Sequence, residues 1–371
     1  MCLADFLPVL ASLVADSPQR HCDMELSRNL TAVTLLVLGT SLGIYVLWQT
    51  WTSSKKKRTR KMIPRIQDLE QLKQMKWECV GKVTKVFVYP VKSCKGLSVD
   101  SASAEFRGLV YKAARDRSFI ITTEKGTMIT GRMVPSTVLI QATFEDSTLT
   151  LTFPGMEALH VDTKEVEKNY MCLKTNIWGE DTYGLDCGRD VSLWLQKVLH
   201  RKCKLLYHAD LPASRVSNHP LGSRCPLLRD DDHSLYADFG GYMLMTAESI
   251  ADLQTRVSSK IAAEDFRPNI LIEGTKKPYD EDEWQYVKIG NTIFRNTVPC
   301  SRCIFTTISA ETGKKNPDME PLCTLKTYRC EKGMDSPSFG INLGLDLAGE
   351  VSVGDEVHIT RSKSSFEYVK G

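Results

Sequence analysis

The strongest chemical signal in this 371-residue chain is a pair of cysteines three positions apart, in the run Pro299-Cys300-Ser301-Arg302-Cys303. Thiolates at that spacing can chelate zinc, run disulfide exchange or bind another soft metal. A structural zinc site needs a second pair, and Cys323 and Cys330, with six residues between them, are poorly spaced for it. A redox pair should open a helix after a strand, whereas Ile304-Phe305-Thr306-Thr307-Ile308 reads as another strand. Zinc, redox thiols, inert buried cysteines and another metal all stay open on spacing alone.

Basic residues occupy matching turn positions elsewhere. Lys92-Ser93 follows a strand-like run and Pro90, Arg115-Asp116-Arg117 precedes another, and Phe266-Arg267-Pro268-Asn269 leads into a third. Cations near strand ends can hold an anionic group, arginine in bidentate fashion. Each alone is an ordinary surface charge. Together with a thiolate pair they suggest a phosphate-bearing cofactor that carries a soft metal. No P-loop, GxGxxG or HExxH is present, and seven histidines are scattered.

The elements that must position these residues are mostly strands. Alternating or β-branched runs at 81–89, 118–122, 137–144, 149–153, 269–272, 286–289, 292–294 and 356–360 are separated by turn signals such as Glu124-Lys125-Gly126. Two helices are expected, one capped by Asp190 and one by Thr246, whose Ile250, Leu253 and Val257 share a face. Residues 210–234, with the run Arg229-Asp230-Asp231-Asp232, read as an exposed loop between two lobes with a solvated charged face. The expected fold is therefore mostly β with some α, a barrel-like body in two lobes.

Residues 30–48 form a largely apolar run of 19, and no charge occurs from 29 to 54. At about 1.5 Å per residue it spans roughly 28 Å, close to a bilayer's hydrocarbon core. Tyr45, Trp48 and Trp51 crowd one end, and Lys55-Lys56-Lys57-Arg58-Thr59-Arg60-Lys61 follows. Positive charge marks the cytosolic flank, so the chain is expected to cross a membrane once with its large body in the cytosol. Residues 62–77 read as an amphipathic linker helix. Of the charges, nine basic and four acidic side chains lie in residues 1–65. The net charge of +3 therefore leaves the body slightly acidic, which argues against nucleic acid. Twelve dispersed cysteines fit reduced thiols better than a secreted disulfide scaffold.

Five motifs then occur in order: YPVKSCKG at 89–96, DRSFIIT at 116–122, FRPNI at 266–270, PCSRC at 299–303 and SFGINL at 338–343. They resemble the MOSC-domain proteins, and closely the mitochondrial amidoxime-reducing components, from about residue 77 to 360. The resemblance implies a MOSC-type β-barrel core at 210–362, a β-rich MOSC lobe at 78–209, a tail at 1–29, the anchor at 30–48, a basic linker at 49–77 and a short tail at 363–371. It implies a molybdenum–molybdopterin cofactor with Cys303 as the protein's thiolate ligand. Lys92, Ser93, Arg117, Arg267, Asn269, Ser301, Arg302 and Asn342 match positions that hold the cofactor. Gly240 stands where the family carries small hydroxyl residues, and its backbone is a candidate substitute. The implied reaction reduces N-hydroxylated compounds, amidoximes becoming amidines, with electrons from cytochrome b5 and its NADH-dependent reductase at the outer mitochondrial membrane. A MOSC sulfur carrier with a Cys303 persulfide, a membrane-tethered zinc/cysteine module, and an endoplasmic reticulum location are the alternative expectations.

Overall fold

The structure, a computed structural model, describes residues 74–169, 171–209, 211, 225–232, 234–361 and 368. The expected anchor at 30–48, both tails other than residue 368, and the linker up to residue 73 lie outside the described residues. Among the described residues no helix is long and apolar enough to cross a membrane.

Seven strands close a barrel. Around it run Glu78–Val88, Glu356–Arg361, Trp284–Ile289, Thr292–Ser301, Ser338–Leu347, Tyr242–Thr246 and Ile270–Glu273, the last pairing back to the first. Every neighbour is antiparallel except Tyr242–Thr246 and Ile270–Glu273. That parallel pair needs a crossover, which the helix Ala247–Arg256 provides. Val287, Ile289, Phe294, Ile341, Leu343, Val357 and Ile359 fill the interior. Each such side chain contributes about 1.5–3 kcal/mol when fully buried. The barrel closes tightly at Gly81, where a Cβ would lie 1.9 Å from the Glu273 carbonyl oxygen, so only glycine fits.

Beside the barrel, Phe119–Thr122, Lys204–Tyr207, Glu180–Asp186 and Cys172–Ile177 form a second sheet, covered by the helix Arg189–Leu199. Trp194, Leu195 and Val198 of that helix are buried in the apolar cluster of this lobe. The mostly-β reading thus holds. The strand Glu78–Val88, however, belongs to the barrel and not to the first lobe's sheet.

Five local expectations are corrected. Residues 137–144 are not one strand: Pro135 opens a 3-10 turn, Pro135–Leu139, and the strand is Gln141–Glu145. The stretch after Cys303 is a 3-10 turn, Ile304–Thr307, because the Thr306 and Thr307 hydroxyls donate back to the Cys303 and Ile304 carbonyls. Gly188, not Asp190, precedes the helix Arg189–Leu199, with Asp190 in its first turn. The run at 229–232 is solvated only in part: Asp230 and Asp231 are exposed, but Arg229 and Asp232 are buried. Residues 74–77 form a turn, not a helix, and Trp77 packs against the Leu227–Tyr286–Ile293 cluster. The cap at Thr246 is as expected, its hydroxyl accepting from the Ser249 amide at 3.2 Å.

Below that cap lies Glu281, fully buried, whose carboxylate accepts from the Thr246 and Ser249 hydroxyls at 3.1 and 2.9 Å. Burial first, then the neighbouring Asp282 carboxylate, pushes its pKa up to about 7. A carboxyl raised on folding favours the folded state while protonated, and that contribution is lost as pH rises from about 4.5 through 7. Glu281→Gln is therefore expected to match the wild type at pH 5 and exceed it by roughly 1–3 kcal/mol at pH 8. Urea unfolding at the two pH values checks this; an equal difference at both refutes it.

Candidate active site

One cavity of about 320 Å³ is lined by all ten residues singled out above: Lys92, Ser93, Arg117, Gly240, Arg267, Asn269, Ser301, Arg302, Cys303 and Asn342. The chain brings them there from strand ends. After Val88 the backbone stays tied to its neighbours: Arg117 N–H donates to the Tyr89 carbonyl at 2.7 Å, and Lys92 N–H to the Phe119 carbonyl at 2.8 Å. Lys92 is thereby turned into the cavity. Ser93, Arg117 and Arg267 all have positive φ (68°, 48° and 59°), an uncommon conformation for residues with a Cβ. Backbone strain of this kind collects at functional sites.

The cations are held in different ways. Lys92 is nearly buried and donates to the Tyr236 carbonyl at 2.8 Å and to Asp238 Oδ1. Enclosure opposes ionisation of Asp238, but Lys92, with Trp178 Nε1 donating at 2.7 Å, holds its carboxyl well below the usual range. Asp238 is crowded by the cavity wall, yet its carboxylate is still reached by water through the cavity mouth, so this pair is screened and stabilises the fold only modestly. Arg117 donates to Asp116 and to Asn269 Oδ1, and Asn269 Nδ2 donates to Asp116 at 3.0 Å and to the Phe87 carbonyl at 3.2 Å. Two guanidinium groups lie against the Tyr89 ring, 4.4 Å away for Arg117 and 4.2 Å for Arg267. Arg267 Nη1 donates to the Cys94 carbonyl at 2.6 Å, while its Nη2 is buried with no partner among the described residues. Burial, then the nearby Arg117 charge, lowers the Arg267 pKa to about 10.

Arg302 is a different case. Its Nε and Nη2 donate to the Phe339 carbonyl and its Nη1 to the Phe266 carbonyl. Its guanidinium is committed to joining two barrel segments behind the cavity, and burial lowers its pKa. Asn269 likewise spends its amide on the protein. What these two offer a ligand is the shape of the wall.

The cysteines separate clearly. Cys303 is exposed at the cavity, just ahead of the 3-10 turn. Cys300 packs against the cluster of Met243, Met245, Phe266 and Phe339, and burial raises its thiol pKa. Among the described residues the only group of three or more His, Cys, Asp or Glu ligands that could hold a metal is Cys79, Glu356 and His358, so the Cys300, Cys303, Cys323 and Cys330 set does not assemble a zinc site.

Five cations, Lys92, Arg117, Arg132, Arg267 and Arg302, and only two carboxylates, Asp238 and Asp265, line the cavity. A Cβ on Gly240 would meet only the Leu343 carbonyl, at 3.6 Å, so the wall there is open. A net positive cavity, a buried guanidinium nitrogen in want of an acceptor and a solvent-open soft thiol fit a phosphate-bearing soft-metal cofactor. Sequence reasoning missed Asp238, Trp178 and Arg132. The only sequence cue to Asp238 is its place directly before Phe239-Gly240-Gly241.

Comparison with known proteins agrees with this architecture. Residues 80–202 match the MOSC N-terminal beta barrel domain and residues 231–358 the MOSC domain. The fold is thus that of a MOSC-domain protein. Mitochondrial amidoxime reducing component 2 of Bos taurus is 36% identical over 286 residues, covering 75% of this chain and 83% of that protein. Mitochondrial amidoxime-reducing component 1 of Mus musculus is 34% identical over 76% of this chain and 82% of its own. The component 1 protein of Xenopus laevis is 31% identical over 94% of this chain and 97% of its own length. The chain belongs to the family of mitochondrial amidoxime-reducing components.

Proposed function

We propose that the protein is a molybdenum-cofactor-dependent reductase of N-hydroxylated compounds, converting amidoximes to amidines. The observation that carries this is the exposed Cys303 thiol at a cavity whose inner wall is cationic. When bound, a pterin–molybdenum cofactor supplies two-electron chemistry at an N–O bond. The chain's own residues do the rest. Cys303 provides the soft ligand. Arg267, with Lys92 and Arg117, holds the phosphate end by charge-assisted hydrogen bonds. Tyr89 fixes both arginine planes, and the Asp116–Asn269 pair keeps Arg117 from turning away.

The reaction consumes two electrons and two protons per amidoxime and releases the amidine and water. Electrons come from cytochrome b5, itself reduced by its NADH-dependent reductase, through a small, transient contact. The apolar run at 30–48 tethers the body to the outer mitochondrial membrane with the cavity in the cytosol, so donor and acceptor share one surface. The relatives' printed names support the organelle, and the basic flank supports the orientation.

Two measurements test the reading. Metal and pterin analysis of the purified protein should find molybdenum with pterin; zinc alone, or no metal, refutes it. The full chain in vesicles, with cytochrome b5, its reductase, NADH and benzamidoxime under anaerobic conditions, should give benzamidine in step with NADH consumed. Absence of benzamidine from a molybdenum-loaded protein would favour the sulfur-carrier alternative.

A further inference from the structure

The rim of the cavity holds a feature that cofactor binding leaves unused. Trp178 and Gly179 are the two central residues of the hairpin joining Cys172–Ile177 to Glu180–Asp186, with Ile177 paired to Glu180. Both have positive φ, 53° and 92°, the geometry of a type I′ turn. Asn, Asp or Gly normally fills the first of these positions, because a bulky side chain there is strained by about 1–2 kcal/mol. Here it is a tryptophan, half exposed, lining the cavity.

Its surroundings hold it in place. The Asn176 side chain accepts from the Gly179 amide at 2.8 Å and donates to Asp181 at 3.0 Å. The Thr175 hydroxyl donates to the Gly126 carbonyl at 2.7 Å, and Asn176 bridges to Thr127, so the hairpin is fixed to the segment that leads to Arg132. The indole N–H donates to Asp238. The Arg132 guanidinium carbon sits 4.0 Å from the indole ring centre. Arg132 is half-buried, lines the same cavity, and makes no hydrogen bond or ion pair with a described residue. The other cavity cations are each tied to a carbonyl or a side-chain acceptor. Arg132 feels Asp238 only at longer range.

A strained aromatic held rigidly at a cavity rim, carrying a guanidinium with spare donors, is a recognition device. We propose that Trp178 and Arg132 form a substrate platform, on which a planar N-hydroxylated compound packs its ring against the indole and directs an anionic substituent to Arg132. This inference rests on the reductase reading and adds the substrate class: planar, N-hydroxylated and anionic.

The test uses the holoenzyme and two matched pairs. Calorimetry compares para-amidinobenzoate with benzamidine, as product analogues, and kcat/KM compares the corresponding amidoximes. The wild type is expected to favour the carboxylate member by about tenfold or more in both. Arg132→Met should erase that preference. Trp178→Asn should weaken binding of both analogues by about tenfold without lowering the melting temperature, because Asn suits the turn. No carboxylate preference in the wild type, or one that survives in Arg132→Met, overturns the platform. If the wild type reduces neither amidoxime yet keeps the Arg132-dependent binding preference, the reductase reading falls and the platform stands.

Discussion

Cys303→Ser is expected to remove N-reduction by on the order of 10³-fold or more while leaving the fold intact. Groups that merely orient a metal's ligands cost 10–100-fold when lost, and a direct ligand costs more. The side chain is exposed, so its replacement removes no packing. What changes is chemical: a soft thiolate becomes a hard hydroxyl that binds a soft metal poorly. Cys300→Ala is the informative contrast. It deletes a thiol packed among Met243, Met245 and Phe339, so it should lower stability by about 1 kcal/mol and leave turnover within a few-fold of the wild type. Molybdenum per chain, benzamidoxime turnover and melting temperature should be read together. Full turnover in Cys303→Ser, or loss in Cys300→Ala alone, would assign the ligand to the wrong cysteine.

What could be read from the sequence follows from how local each signal is. A β-branched run ending at Pro299 announces a strand, and the thiol pair at its end announces chemistry, within a few residues. The turn cations were legible for the same reason: Pro90 and Pro268 mark where strands stop or begin, so Lys92 and Arg267 fall beside the barrel's end. Arg302 looked like one more ligand because its neighbours in sequence cannot reveal that the Phe266 and Phe339 carbonyls take its donors. The carboxylate that lets Lys92 stay charged while buried, Asp238, lies 146 residues away. The stretch Ile304-Phe305-Thr306-Thr307-Ile308 has strand composition, but threonine hydroxyls can satisfy carbonyls three residues back, and there the local bond wins over propensity. Arg132 and Trp178 carried no signal at all. An arginine in a loop is ordinary, and a tryptophan at a type I′ turn position contradicts the pattern that would have located the turn.

The buried charges at 229–232 show the same limit and give the second large effect. Arg229 donates to Asp346 at 2.5 Å, and Arg295 is paired with both Asp232 and Asp346, the latter at 3.4 Å. The Arg295 and Asp346 side chains are fully buried. Locally the segment closes on itself, with Arg229 N–H donating to Asp232 Oδ2 at 2.8 Å and Asp232 N–H to the Arg229 carbonyl at 3.2 Å. Asp346 faces both guanidinium groups, so it carries much of their compensation, while burial raises the Asp232 pKa even against the pull of Arg295. Asp346→Asn keeps the shape and removes the charge. It is expected to cost about 3–5 kcal/mol, because two buried cations then lose the carboxylate they share. The double variant Arg229→Met with Asp346→Asn should recover part of that loss. Urea unfolding of the three proteins measures it, and a cost below about 1 kcal/mol for Asp346→Asn would mean the network is solvated. The consequence reaches the cavity. The locked segment runs directly into Tyr236, whose carbonyl accepts from Lys92, and Asp238, which accepts from Lys92 and Trp178. Loosening it should therefore lower substrate affinity before the barrel itself unfolds. In Asp346→Asn, turnover should fail at a lower urea concentration than the loss of the barrel's circular dichroism, whereas in the wild type the two should coincide.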